Sequence, residues 1–296
     1  MTEPLAQRFH QHRDHVRGVV YRMLGSHADA EDAVQETWLR LASVDARDIG
    51  NLPGWLTTAV SRICLDMLRT RHTRREDFAG ADLPGNAERA PDPDPEHEAV
   101  LVDSVGRALL VVLDRLNPDE RITFVLHDMF AVPFDRIAPI VERSPATTKK
   151  LASRARHKVQ GRPQIPATEL ARRRAVVEAF LAASRAGNID AVLEVLSADV
   201  IRRADRHAIP VDRPARVQGA RAVAEEIAVF GRSARFAAPL LVDGSVAIAV
   251  APHGRFRLII LFGFDGDTIT EYELIADPAR LDQLHLATLT GRAPAQ

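Results

Sequence analysis

Residues 134–158, FDRIAPIVERSPATTKKLASRARHK, constrain the fold more than any other stretch, because they spell two short helices meeting at a capped turn. Phe134, Ile137, Ala138 and Val141 recur at i, i+3, i+4 and i+7, which draws one apolar stripe along the first helix. Ser144 stands where an N-cap oxygen accepts from open amides, and Pro145 takes the first helical position, where a missing N–H costs nothing. In the second helix Leu151, Ala155 and Val159 form a narrow inward stripe. Lys149, Lys150, Arg154, Arg156 and Lys158 spread over the rest with no carboxylate among them. A face of one sign directly behind a capped turn is the pattern of a helix-turn-helix, whose second helix enters the major groove of duplex DNA. Glu142 occupies the turn where many such motifs place glycine.

The rest of the chain sets the bounds on that reading. With 296 residues and 46% hydrophobic content, the sequence can bury a core in two or three domains. Its formal net charge is −1, so the basic clusters are local and offset by acidic segments elsewhere. No apolar run approaches the roughly 20 residues of a membrane span, and the start MTEPLAQRFHQH lacks a signal-peptide core, so a cytoplasmic protein with no membrane partner is expected. Cys64 lies among Val60, Ile63, Met67 and Leu68 and is predicted to be a buried, reduced thiol. His10, His12 and His15 do not converge on one helix face, and no metal or other cofactor is expected.

Toward the N-terminus, Leu5 to about Leu24 reads as one helix, and Ser26 to Asp29 opens a second, DAEDAVQETWLRL. Val34, Trp38 and Leu41 line one side of it. Asp32, Gln35, Glu36 and the out-of-phase Leu39 share the other, a polar surface with an apolar residue at its middle. A third helix, WLTTAVSRICLDMLRTRHTRRE, carries its inward stripe on Leu56, Val60, Ile63 and Met67, and its far end turns basic through Arg62, Arg69, Arg71, Arg74 and Arg75. Trp55 at its start is a platform on which an unpaired base can stack, worth about 1 to 3 kcal/mol, or else a plug in the core.

Residues 1–160 thereby resemble an extracytoplasmic-function (ECF) sigma factor of bacterial RNA polymerase. DAEDAVQETWLRL is similar to the segment with which sigma region 2 grips the β′ clamp helices of core polymerase, which implies core binding by Asp32, Gln35, Glu36 and Leu39. WLTTAVSRICLDMLRTRHTRR is similar to the part that melts and reads the single-stranded −10 element, which implies roles for Trp55, Arg62, Arg69, Arg71, Arg74 and Arg75. LDRLNPDERITFVLHDMFAVPFDRIAPIVERSPATTKKLASRARHK resembles region 4, which reads the duplex −35 element and touches the β flap. There the implied DNA contacts are Ser144, Thr147, Thr148, Lys149, Lys150, Ser153, Arg154 and Arg156.

Between the two regions Ala79 to Glu98 is rich in proline and acid and reads as a stiffened tether, with Leu83-Pro84 partly resembling a linker motif of sigma factors that carry a tail domain. After Gln164-Ile165-Pro166 the pattern changes. A helix over Glu169–Ala186, a short helix running into a strand, and four apolar runs divided at Asp243-Gly244, His253-Gly254 and Asp265-Gly266 predict a helix-backed meander. That order resembles the SnoaL-like fold, an α+β cone with a curved antiparallel sheet and a pocket. Relatives with this tail share an Asp-Gly-Gly-Gly-Lys stretch, whereas Asp205 to Arg216 here reads DRHAIPVDRPAR with no glycine, so the role of that motif is not carried over. Asp205, His207, Asp212, Glu271 and Glu273 are the acid-base candidates for catalysis, but they have no recognisable spacing and no enzyme is expected.

The expected organisation is region 2 over 1–78, linker over 79–98, region 4 over 99–162 and a regulatory SnoaL-like domain over 166–296, with a mainly α N-terminal half. The expected function is promoter-specific transcription initiation tuned by the tail, whose pocket takes a small ligand or none. A ligand-responsive helix-turn-helix repressor is the alternative.

Overall fold

The computed structural model describes residues 5–45, 49–78, 106–252 and 256–289. The linker expectation, and the turn at His253-Gly254, fall outside these residues. The chain divides into two compact units: one holds the first three helices together with residues 116–157, the other holds residues 106–115 and the chain from Lys158 onward.

In the first unit α1 (Leu5–Leu24), α2 (His27–Ala42) and α3 (Leu52–Phe78) pack on one another around Val20, Met23, Leu41, Leu56, Val60 and Cys64. The expected cap is present: the Ser26 hydroxyl accepts from the Asp29 amide at 3.4 Å. Burial raises the Cys64 thiol, which keeps it protonated. Three further helices follow among the described residues, named in chain order after α4 (Arg107–Leu113), which belongs to the other unit. Helix α5 (Pro118–Phe124) starts with a reciprocal capping box between Asn117 and Glu120, runs on into a π turn over Val125–Met129, and packs on α3. Helix α6 (Phe134–Val141) buries Ile137, Ala138, Ile140 and Val141 and packs on α3 as well. Helix α7 (Pro145–Gln160) completes the pair after the turn.

The second unit is α+β, as expected. Helix α8 (Ala167–Ala186) leads through α9 (Ile189–Val195) straight into β1 (Leu196–Ala204), followed by the short β2 (Arg216–Gln218), α10 (Ala220–Phe230) and a 3-10 turn over Gly231–Phe236. Then come β3 (Ala237–Val242), β4 (Ser245–Val250), β5 (Leu258–Asp265), β6 (Thr268–Ile275), α11 (Pro278–Gln283) and β7 (Leu286–Ala287). Among the described residues the sheet order is β2-β1-β6-β5-β4-β3-β7. The four predicted runs form the antiparallel meander β3 to β6, and the β3–β4 hairpin turns on Asp243 and Gly244, both at positive φ. A Cβ on Gly244 would stand 2.8 Å from the Arg162 carbonyl oxygen, so the turn needs glycine for space as well as for conformation.

The sheet departs from a purely antiparallel one: β1 runs parallel to β6. Strand β1 reaches the meander through a helical crossover, and a crossover permits a parallel neighbour where a tight hairpin forbids it. Register shifts between Leu196 and Ile201 in β1 and between Gly263 and Phe264 in β5 mark irregularities that bend the sheet. Helix α4 is apolar nearly all round, and its Leu109 to Leu113 are buried; it packs on β3 and β7. Arg115, just beyond it, pairs with Asp282 at 2.8 Å and donates to the Leu281 carbonyl.

Two charged side chains organise the sheet's inner end. Arg202 on β1 is 0% exposed; its Nε and Nη2 donate to the two carboxylate oxygens of Glu226 on α10, at 2.8 and 2.5 Å, and its Nη1 donates to the Pro214 carbonyl at 2.8 Å. Asp205, at the end of β1, accepts from the amides of His207, Ala208, Ala276 and Asp277 at 2.8 to 3.0 Å, which ties the base of the 205–215 loop to the end of β6. Because a buried charge stripped of its counter-charge is costly, Arg202→Met should destabilise this unit by about 3 kcal/mol in urea unfolding of the full chain, and adding Glu226→Met should restore most of that loss.

Candidate nucleic-acid and polymerase interface

The turn between α6 and α7 is built as the sequence indicates. The Ser144 hydroxyl accepts from the Thr147 amide at 3.2 Å, and Pro145 opens α7. Glu142 adopts the left-handed conformation at φ 56°, ψ 43°, the position that closes a helix and that glycine fills at lower cost. Helix α7 presses Leu151, Ala152, Ala155 and Val159 inward. On the outer side Thr147, Lys149, Lys150, Ser153 and Arg154 are exposed, and the side chains of Lys149, Lys150 and Arg154 have no counter-ion among the described residues. A surface of this kind is set up to take phosphates and base edges.

Two residues expected to contact DNA lie apart from this exposed set. Thr148 is 0% exposed, and its hydroxyl donates to the Ser144 carbonyl at 3.0 Å, so it belongs to the cap and the core. The signal was in the sequence: Thr148 precedes Leu151 by three and Ala152 by four, which places it on the same stripe. Arg156 is half-buried and pairs with Asp128 at 2.5 Å, which joins α7 to the π turn.

On α2, Asp32, Gln35, Glu36 and Leu39 share one outward face, with Leu39 56% exposed and Glu36 paired with Arg40 at 3.0 Å. The opposite face buries Ala33, Val34, Thr37 and Leu41, while Trp38 packs its ring against Phe9 with centroids 5.1 Å apart. An apolar side chain held in water inside a polar, acidic rim is what a protein interface offers before its partner arrives.

The basic end of α3 is less open than its sequence suggests. Arg62 is exposed, but Arg69 pairs with Asp119 at 3.1 Å and lies 3.8 Å from Glu142, and Arg71 pairs with Asp29 at 2.6 Å. Arg143 also reaches Asp119, at 3.4 Å. Arg74 and Arg75 lie on α3, with side chains outside the described set. Trp55 is half-buried and lines a cavity of about 460 Å3 with Thr58, Arg136 and Ile140. His10, His12 and His15 form no metal group with other ligands among the described residues, and no described helix is long and apolar enough to cross a membrane.

Comparison with known proteins gives these surfaces a common origin. The family model "Sigma-70 region 2" matches residues 8–74, and "Sigma-70, region 4" matches residues 106–159. Along its length the chain is similar to "Probable ECF RNA polymerase sigma factor SigI" of Mycobacterium tuberculosis, 32% identical over 286 residues, covering 95% of this chain and 96% of that protein. It is also 43% identical over 190 residues to "ECF RNA polymerase sigma factor SigJ" of the same organism, a match spanning 64% of this chain and 61% of that relative. The crystal structure of the latter aligns with 33% identity and a TM-score of 0.45, covering 93% of this chain and 98% of that one.

The left-handed Glu142 yields a direct test of the turn. Glu142→Gly should raise the stability of the helical unit by about 1 kcal/mol, read as an upward shift of the thermal midpoint, because the strain removed outweighs a long ion pair on an exposed side chain.

Proposed function

This chain belongs to the ECF RNA polymerase sigma factors, and from that premise we propose that each surface described above carries one step of promoter-specific initiation in the cytoplasm. The factor is not an enzyme; it binds core RNA polymerase and promoter DNA. Asp32, Gln35, Glu36 and Leu39 dock on the β′ clamp helices, with Leu39 entering an apolar socket and the acids setting orientation. Thr147, Lys149, Lys150, Ser153 and Arg154, with Ser144 at the turn, contact the −35 duplex from the major groove. Trp55, Arg62, Arg69, Arg71, Arg74 and Arg75 hold the opened −10 strand. For Arg69 and Arg71 this requires exchange of a carboxylate for a phosphate, since both are paired in the free protein.

The observation that carries the reading is the coexistence on one chain of an acidic docking face with an exposed leucine and a capped, single-signed basic helix. A repressor needs the second and has no use for the first, and neither matched family gives the repressor alternative support. The tail modulates activity through α4: this helix opens the residues matched as region 4 yet packs on β3 and β7, so its availability to the β flap depends on the tail sheet. The proposed functional division stays at 1–78, 79–98, 99–162 and 166–296, with α4 serving both of the last two.

Run-off transcription with purified core polymerase tests the proposal. The full-length factor should direct a defined start site, and a chain ending near Arg162 should change the yield or the promoter preference; a factor that never directs polymerase to any start site refutes the reading. Lys150→Ala with Arg154→Ala should lower specific transcription and reduce the slope of log K against log salt by about 1 for each cation removed. Asp32→Arg with Glu36→Arg should abolish co-elution with core polymerase while leaving the circular dichroism spectrum unchanged, because both positions face solvent.

A further inference from the structure

Within the C-terminal unit a cavity of about 210 Å3 lies between α8, α10, the 205–215 loop and strands β4 to β6. Its wall is overwhelmingly apolar: Phe180, Leu181, Ile248, Val250, Ile260 and Leu274 supply much of it. For scale, an apolar cavity of about 150 Å3 is enough to hold benzene. Four lining residues are polar: Arg213 is exposed, and the other three differ in state. Ser184 is satisfied, its hydroxyl donating to the Phe180 carbonyl at 2.7 Å. Glu226, the one lining carboxylate among the described residues, has both oxygens taken by Arg202. Tyr272 on β6 is 5% exposed, has its ring packed beside Phe180 and Phe262, and lines the cavity with a hydroxyl that finds no hydrogen-bond partner among the described residues.

We propose that this cavity is a binding site for a small, neutral, largely apolar molecule with one hydrogen-bond acceptor, an aryl ketone or similar carbonyl compound, whose oxygen accepts from the Tyr272 hydroxyl. The hydroxyl lines the cavity with no protein acceptor among the described residues, so a carbonyl oxygen placed there can accept from it. Burial first, and the Glu226 carboxylate second, push the Tyr272 phenol above its ordinary range, so it stays protonated and available to donate at every physiological pH. The ligand is neutral because the one fully buried cation near the wall, Arg202, is already matched by Glu226 and Pro214, while Arg213 stands exposed at the rim. The site binds and does not convert: Asp205, His207, Asp212, Glu271 and Glu273 are absent from the wall, and Asp205 spends its oxygens on four amides. Ala208 to Pro210 close one side of the cavity, so the ligand touches the 205–215 loop.

The test is titration calorimetry on the full-length protein with acetophenone, its near-isostere ethylbenzene, which lacks the acceptor, and benzoate, which carries a charge. Acetophenone should bind saturably and ethylbenzene about five- to tenfold more weakly, the difference one hydrogen bond makes. Tyr272→Phe should bring acetophenone down to the affinity of ethylbenzene, leave ethylbenzene unchanged, and keep the thermal midpoint, because the hydroxyl it removes bonds no other described residue. Absence of saturable binding in the millimolar range, equal affinities for the first two compounds, an unchanged acetophenone affinity in Tyr272→Phe, or tightest binding by benzoate would each overturn the proposal.

Discussion

Helix α3 has to satisfy two sets of neighbours at once, and the helical unit depends on it. Leu56, Val60, Ile63 and Cys64 are buried where α3 meets α1 and α2, while α5 and α6 pack on the same helix. A helix buried along so much of its girth keeps few directions open to water. Its arginines must therefore either point into the remaining sector or find carboxylates nearby, and Asp29, Asp119 and Glu142 supply them. The cationic track is thus partly neutralised by the same packing that makes the helix stable. Ion pairs of this kind, on half-exposed side chains, contribute little energy each. That weakness suits the proposed exchange of these carboxylates for phosphates.

Much of this was legible in the sequence because the signals are local. The Ser144 cap, Pro145, the stripe on α6 and the outward set on α2 all follow from the helical period and from the chemistry of open amides, and the structure places them accordingly. The meander was legible for the same reason: Asp243-Gly244 and Asp265-Gly266 punctuate runs of the right length. Thr148 and Arg156 are placed less openly than the helical period alone suggests, for two different reasons. A threonine on the inner stripe looks polar until its hydroxyl is given to the Ser144 carbonyl, and an arginine in a basic run looks free until Asp128, distant in sequence, arrives beside it.

What the sequence hides is long-range pairing. Nothing in LSADVIRRA announces that β1 will lie parallel to β6, since the alternation of a strand specifies its faces and not its neighbour. Nor does RALLVVL announce that α4 will cover a sheet that begins far along the chain; a helix apolar on every side declares only that it will be buried. Burial of Arg202 was equally invisible, because an arginine on a strand is normally a surface residue, and only the convergence of Glu226 and Pro214 makes its position tolerable.

Asp205 shows how a bend can be specified without glycine. Four main-chain donors converge on its two oxygens, so the direction in which the polypeptide leaves β1 is dictated by a side chain and not by backbone freedom. At the far end the Pro214 carbonyl is clamped by Arg202, while at the crest Val211 is 92% exposed and meets only solvent. The segment behaves as an arch on two fixed footings. An exchange at the solvent-facing crest leaves that path unchanged, whereas one at either footing re-aims the whole arch.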